Sequence, residues 1–70
     1  MKDFLSVLDH DSTLLVINRA YIVLVHPRDF ESFRESGCQI VIQSGSLTRD
    51  VYVDPGAQTD AVLAFIGYEP

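Results

Sequence analysis

Five short stretches hold the side chains that could do chemistry. Asp9-His10-Asp11 sets an imidazole between two carboxylates, residue types that bind a metal or tune a histidine. The spacing argues for a solvated turn instead, because adjacent residues in a turn do not converge on one point and zinc sites need three or four protein ligands. His26 stands alone before Pro27. A general base needs a nucleophile and an orienting group, so His26 is expected to be a strand-end or capping residue. Ser44-Gly45-Ser46 lacks the G-x-S-x-G pattern of a nucleophile elbow and reads as turn chemistry. Asp54-Pro55-Gly56 precedes an apolar periodic stretch. A helix start there could offer N–H groups to an anion, but the Asp54 carboxylate would already occupy the cap. Cys38 is the single cysteine, which excludes an intrachain disulfide and leaves a buried, inert thiol as the expectation. No catalytic residue, metal site or cofactor is therefore expected, and the chain does not read as an enzyme.

The elements that would position these residues are mostly strands. Residues 2–9, KDFLSVLD, fit helical spacing through Phe4, Val7 and Leu8. They also fit a strand with Phe4, Ser6 and Leu8 on one face, and the strand is preferred for so short a segment. Asp9–Ser12 is a turn cluster. Leu14–Val25, LLVINRAYIVLV, is the most apolar stretch. It is shorter than the roughly 20 apolar residues of a membrane-spanning helix and carries Arg19 near its middle. Its Leu, Val, Ile and Tyr content suits two strands, Thr13–Ile17 and Tyr21–His26, bent at Asn18-Arg19-Ala20. Strict alternation puts Tyr21, Val23 and Val25 on one face and Ile22, Leu24 and His26 on the other. Both faces are mostly apolar, so one of them calls for cover by a second subunit.

Over residues 27–36, Pro27 suits a helix start and Gly37 a helix end, with Phe30 and Phe33 on one face. An exposed loop is the alternative. Cys38–Asp54 alternates as a β-hairpin around Ser44-Gly45-Ser46. Residues 54–67 read as a helix with Asp54 as N-cap, Pro55 in the first turn, Gly67 as C-cap, and Val62, Phe65 and Ile66 as its buried stripe. Tyr68-Glu69-Pro70 is a short tail. The result is a single α+β domain over residues 1–70: a small antiparallel β-sheet of four to five strands covered by a C-terminal helix.

Size and charge narrow the role. A chain of 70 residues buries only about 60% of the surface its unfolded form exposes. Without disulfides or a zinc cluster, subunit association is the remaining aid to stability. The net charge is −5 with five basic residues in all, and no basic stripe marks a nucleic-acid site. A free thiol suits a reducing cytoplasm, and the broken apolar pattern before Asp9 does not read as a secretory leader.

The stretch LLVINRAYIVLV followed by IVIQSG, VYVDPG and AVLAFI resembles the small flagellar FlbD-type proteins and similar short β-rich regulators. The resemblance covers most of the chain from Thr13 onward and implies a strand ending in Asn, an Ile-rich strand, a hairpin over a Gly turn and a short C-terminal helix. Arg28–Ser36 and the acidic N-terminal segment depart from that pattern.

The function expected from all this is a non-enzymatic protein-interaction or regulatory module, cytoplasmic, self-associating, and acting on another protein. Neither membrane nor nucleic acid is expected as a partner. Tyr21, Val23, Val25, Phe30, Phe33 and Tyr52 are the interface candidates, the aromatics because aromatics and Arg carry most hot spots and the valines because their strand face needs cover. Two alternatives belong to other classes. One is an acidic inhibitor of the virus-encoded kind, occupying the nucleic-acid site of a basic protein. The other is a small β-fold that stacks bases on Tyr21 and Tyr52.

Overall fold

The first turn is set by one carboxylate. Asp9 Oδ1 accepts the N–H groups of Asp11 (2.9 Å) and Thr13 (3.0 Å), and Ser12 takes a positive φ of 64°. This Asx-type turn folds β1 (Phe4–Leu8) back on β2 (Leu14–Asn18) as an antiparallel hairpin. The computed structural model describes residues Asp3–Tyr68. Lys2, Glu69 and Pro70, named above, lie outside the described residues.

The segment that fits both helix and strand spacing is thus a strand. Its buried side chains are Leu5 and Val7, and the Phe4–Ser6–Leu8 row faces outward. The bend expected at Asn18-Arg19-Ala20 is a 3-10 turn, Arg19–Tyr21. Asn18 makes it with its side chain rather than with left-handed backbone. It stays extended (φ −76°, ψ 128°) while its Oδ1 caps the Ala20 N–H at 2.9 Å.

After this turn, β3 (Ile22–Pro27), β4 (Cys38–Ser44) and β5 (Leu47–Val53) form a three-stranded antiparallel sheet in that order. The five strands therefore divide into two sheets. A β-bulge interrupts β3, with Ile22 opposite Ile42 but Leu24 opposite Val41. The extra residue resets the side-chain parity. Ile22 and Val25 both turn to the core, so the single Tyr21–Val23–Val25 face expected from alternation does not exist. The β4–β5 connection is two residues, Gly45-Ser46. Gly45 supplies the positive φ of 62° that tight hairpin turns demand.

Pro27 does not start a helix. It ends β3, paired with Cys38, and its carbonyl accepts the Phe30 N–H in a turn (3.0 Å). The helix at this place is one turn, α1 (Phe33–Ser36), capped by the Ser32 side chain and ended at Gly37 as expected. Gly37 (φ 82°) lies so close to the Val53 carbonyl and the Pro55 nitrogen that any Cβ would collide with backbone there.

The C-terminal helix α2 spans Ala57–Ile66 and ends on left-handed Gly67. Its N-cap is Gly56, not Asp54. The Pro55-Gly56 turn puts Asp54 outside the helix, where its carboxylate approaches Arg28 (3.6 Å) and its carbonyl accepts the buried Thr59 hydroxyl (2.8 Å). The buried positions are Thr59, Val62 and Leu63, with Phe65 and Ile66 half-buried. Spacing of three and four defines this stripe, and Leu63 and Thr59 are added to the expected set.

The hairpin and α2 lie over one face of the three-stranded sheet. The shared core is Leu5, Val7 and Ile17 from the hairpin, Cys38, Ile40, Val51 and Val53 from the sheet, and Val62 from α2. A small α+β architecture of two layers results. Among the described residues, no helix is long and apolar enough to cross a membrane.

Candidate interaction surface

A two-stranded sheet has two faces, and here both are apolar. The inner face pairs Leu5 with Ile17 and Val7 with Leu15. The outer face pairs Leu8 with Leu14, Ser6 with Val16, and Phe4 with Asn18. On it Phe4 is 57% exposed, Leu14 and Val16 are each 64% exposed, and Leu8 is also exposed. These four side chains present on the order of 400 Å² of apolar surface, the size of the largest patch a soluble monomer normally tolerates. Among the described residues, no charged side chain lies within it.

The six residues singled out by sequence are not brought together. Tyr21 and Val23 are exposed, at the 3-10 turn and the bulge. Val25 and Phe33 are half-buried against the core, and the Phe33 ring meets Tyr68 at 5.5 Å. Tyr52 is half-buried on the far face of the three-stranded sheet, edge-on to His10 (5.6 Å) and beneath the Arg28 guanidinium (5.4 Å). Phe30 is the most exposed, at 78%. It stacks on the His26 imidazole at 4.6 Å and holds a positive φ of 64°, which costs a non-glycine residue about 1–2 kcal/mol. Asp29 Oδ1 stiffens this loop by accepting from Glu31 N–H, Ser32 N–H and the Ser36 hydroxyl. The amides of Ser32 and Glu31 hold the Asp29 carboxyl below the usual range.

Sequence reasoning missed Phe4, Leu8, Leu14 and Val16. The signal was present in FLSVL and LLVI, where neighbouring residues of opposite parity are both large and apolar. It points to a surface only once it is known that these strands pair with each other and with no third.

The polar residues resolve as follows. One ligand atom each from Asp9, His10 and Asp11 lies within 4.8 Å of the others, so adjacency does not make them diverge as expected. The cause is the tight ring closed by Asp9, whose carboxylate is already an acceptor for two backbone amides. His10 Nε2 sits 3.3 Å from Asp11 Oδ1, and His26 Nδ1 sits 2.7 Å from the Pro27 carbonyl. Among the described residues, neither histidine bonds to a serine, threonine or cysteine. Cys38 is buried. Burial pushes its thiol pKa up, with the Thr59 hydroxyl and then Arg28 opposing. No family model, curated protein or solved structure matches the chain.

Proposed function

We propose that this protein is a non-enzymatic protein-interaction or regulatory module that works as a homo-oligomer. Its subunits join through the outer face of the β1–β2 hairpin. The observation that supports this is the uncharged row Phe4, Leu8, Leu14 and Val16, exposed beside an already filled core.

A second copy suits this face better than a charged partner does. Each chain carries −5, and like charges repel over a Debye length of about 8 Å at physiological salt. The hairpin face is where two such chains approach with least repulsion. Two faces pressed together cover on the order of 800 Å² from these side chains alone, and their polar rims complete the 1,200–2,000 Å² of a stable interface. Stacking the hairpins gives each a second apolar layer, as in a β-sandwich.

Methyl NMR on dilution tests the surface. Leu8, Leu14 and Val16 methyl signals are expected to shift together as the oligomer dissociates, while Ile40 and Val53 stay in place. Shifts confined to Val23 and Leu24 on β3 would contradict the assignment.

A further inference from the structure

The two sheets are tied at one end and open at the other. The tie is the His10 N–H donating to the Tyr52 carbonyl at 2.8 Å. Beyond it β2 and β5, each the outer strand of its sheet, do not pair. A cleft of about 170 Å³ remains, floored by Leu15, Ile17, Ile42 and Val51 and bordered by Tyr21.

One charged group lines this cleft, Arg49. It stands in the β5 row that also holds Val51 and Val53, opposite Ile42, at the exposed margin of the core. Among the described residues, Arg49 makes no ion pair or hydrogen bond. The chain has ten acidic residues against five basic ones, yet among the described residues no carboxylate pairs with this guanidinium. The next residue along the row, Leu47, is 75% exposed.

The backbone beside the cleft is also available. Asp9 N–H donates to the Thr13 carbonyl and Arg19 N–H to the Asp3 carbonyl. Odd-numbered residues of β2 therefore hydrogen-bond toward β1. Leu14 and Val16 turn their N–H and C=O groups to the other edge, and Asn18 its N–H, its carbonyl being the cap of the 3-10 turn. The cleft runs along that edge, because residues from both faces of β2 line it, Leu15 and Ile17 from one and Val16 and Asn18 from the other.

We infer that this edge and cleft receive an extended segment of another protein. The segment carries a large apolar side chain and a carboxylate two residues apart. It adds to β2 as a strand, the mode in which backbone hydrogen bonds give affinity and alternate side chains give specificity. Residues two apart share a strand face, so the apolar side chain enters the cleft and the carboxylate meets Arg49 as a charge-assisted pair. The volume is well below the 300–1,000 Å³ of small-molecule pockets and suits one side chain. This site adjoins the hairpin outer face and shares Val16 and Asn18 with it, but it uses the backbone edge of β2 rather than that face.

The probes are the acetylated, amidated peptides Thr-Leu-Thr-Glu-Thr and Thr-Glu-Thr-Leu-Thr, with Gln-for-Glu versions of each. Amide signals of Val16 and Asn18 are followed by NMR on full-length protein. One Glu peptide is expected to shift both amides and to bind about tenfold more tightly than its Gln version, the size of one charge-assisted hydrogen bond. Arg49→Gln should abolish that discrimination while leaving the solution mass unchanged. Equal binding of Glu and Gln peptides overturns the proposal, as does no shift with millimolar peptide. A change of mass in Arg49→Gln would also overturn it, by showing that a second copy fills the cleft. A wild-type protein that stays monomeric yet binds the Glu peptide more tightly than the Gln peptide would count against the hairpin interface and support the cleft.

Discussion

The β1–β2 hairpin and the β3–β4–β5 sheet are built from strands of similar composition, yet they treat their two faces differently. Within the three-stranded sheet β4 and most of β5 follow the usual rule, whereas Val23 and Leu24 on β3 and Leu47 at the β5 start are exposed. Cys38, Ile40, Val51 and Val53 point to the core, and Gln39, Gln43, Thr48 and Asp50 point away. The hairpin breaks it, with Leu5, Val7 and Ile17 inside and Phe4, Leu8, Leu14 and Val16 outside. A strand whose parities are both apolar needs cover on both sides. In this chain the sheet and α2 supply one side, and the other is open.

The largest contrast comes from the core itself. Ile40→Ala is expected to cost about 2–5 kcal/mol, the range for deleting a fully buried aliphatic side chain. Denaturant unfolding reads this directly. The loss is a large share of the total for a small domain, since native stability is only about 0.05–0.15 kcal/mol per residue. A core change strikes both sheets together, because Ile40 sits where the hairpin and α2 meet the sheet.

Outward substitutions should separate the two regions. Val16→Lys places a charge in the hairpin face and is expected to weaken self-association by at least about 2 kcal/mol, the threshold of an interface hot spot. Val41→Lys, on the outer side of the other sheet, should leave association unchanged. Sedimentation equilibrium on both variants decides it, and a parallel thermal melt shows that each still folds. Equal effects would mean that the hairpin face is not special.

Two smaller changes probe the connections. Asn18→Ala removes the side-chain cap on the 3-10 turn between the regions and should cost about 1 kcal/mol, measured by chemical denaturation. The loop around Phe30 has its own pH dependence. The Asp29 carboxyl is held below its usual range by the Ser32 and Glu31 amides. A lowered folded pKa means that the ionised carboxylate stabilises the loop above the unfolded value, and that this support is lost as pH falls through the folded value. Glu31 and Ser32 amide signals should therefore titrate below the ordinary carboxylate midpoint, and Asp29→Asn should remove the step.

Much of this fold is legible in local pattern. The β4–β5 hairpin reads directly from alternation around Gly45, and Gly37 and Gly67 mark helix ends. The departures have local causes that alternation does not encode. A bulge between Ile22 and Leu24 turns Val25 inward and leaves Val23 and Leu24 exposed. The Pro55-Gly56 turn moves the α2 cap past Asp54. Asp29 and Ser32 build a turn where Pro27 and Gly37 alone frame a longer helix. The candidate surface was harder to see for a different reason. An apolar residue is outward only relative to its neighbours. The exposure of Phe4, Leu8, Leu14 and Val16 follows from β1 and β2 forming a sheet of their own, which is a property of the tertiary arrangement.

Light scattering on the full-length protein over a range of concentrations tests the self-association most directly. The mass should rise to twice that of one chain or more, and Val16→Lys should hold it at one chain under the same conditions. A wild-type protein that remains a strict monomer at high concentration would contradict the account, leaving the apolar hairpin face without the partner that explains it.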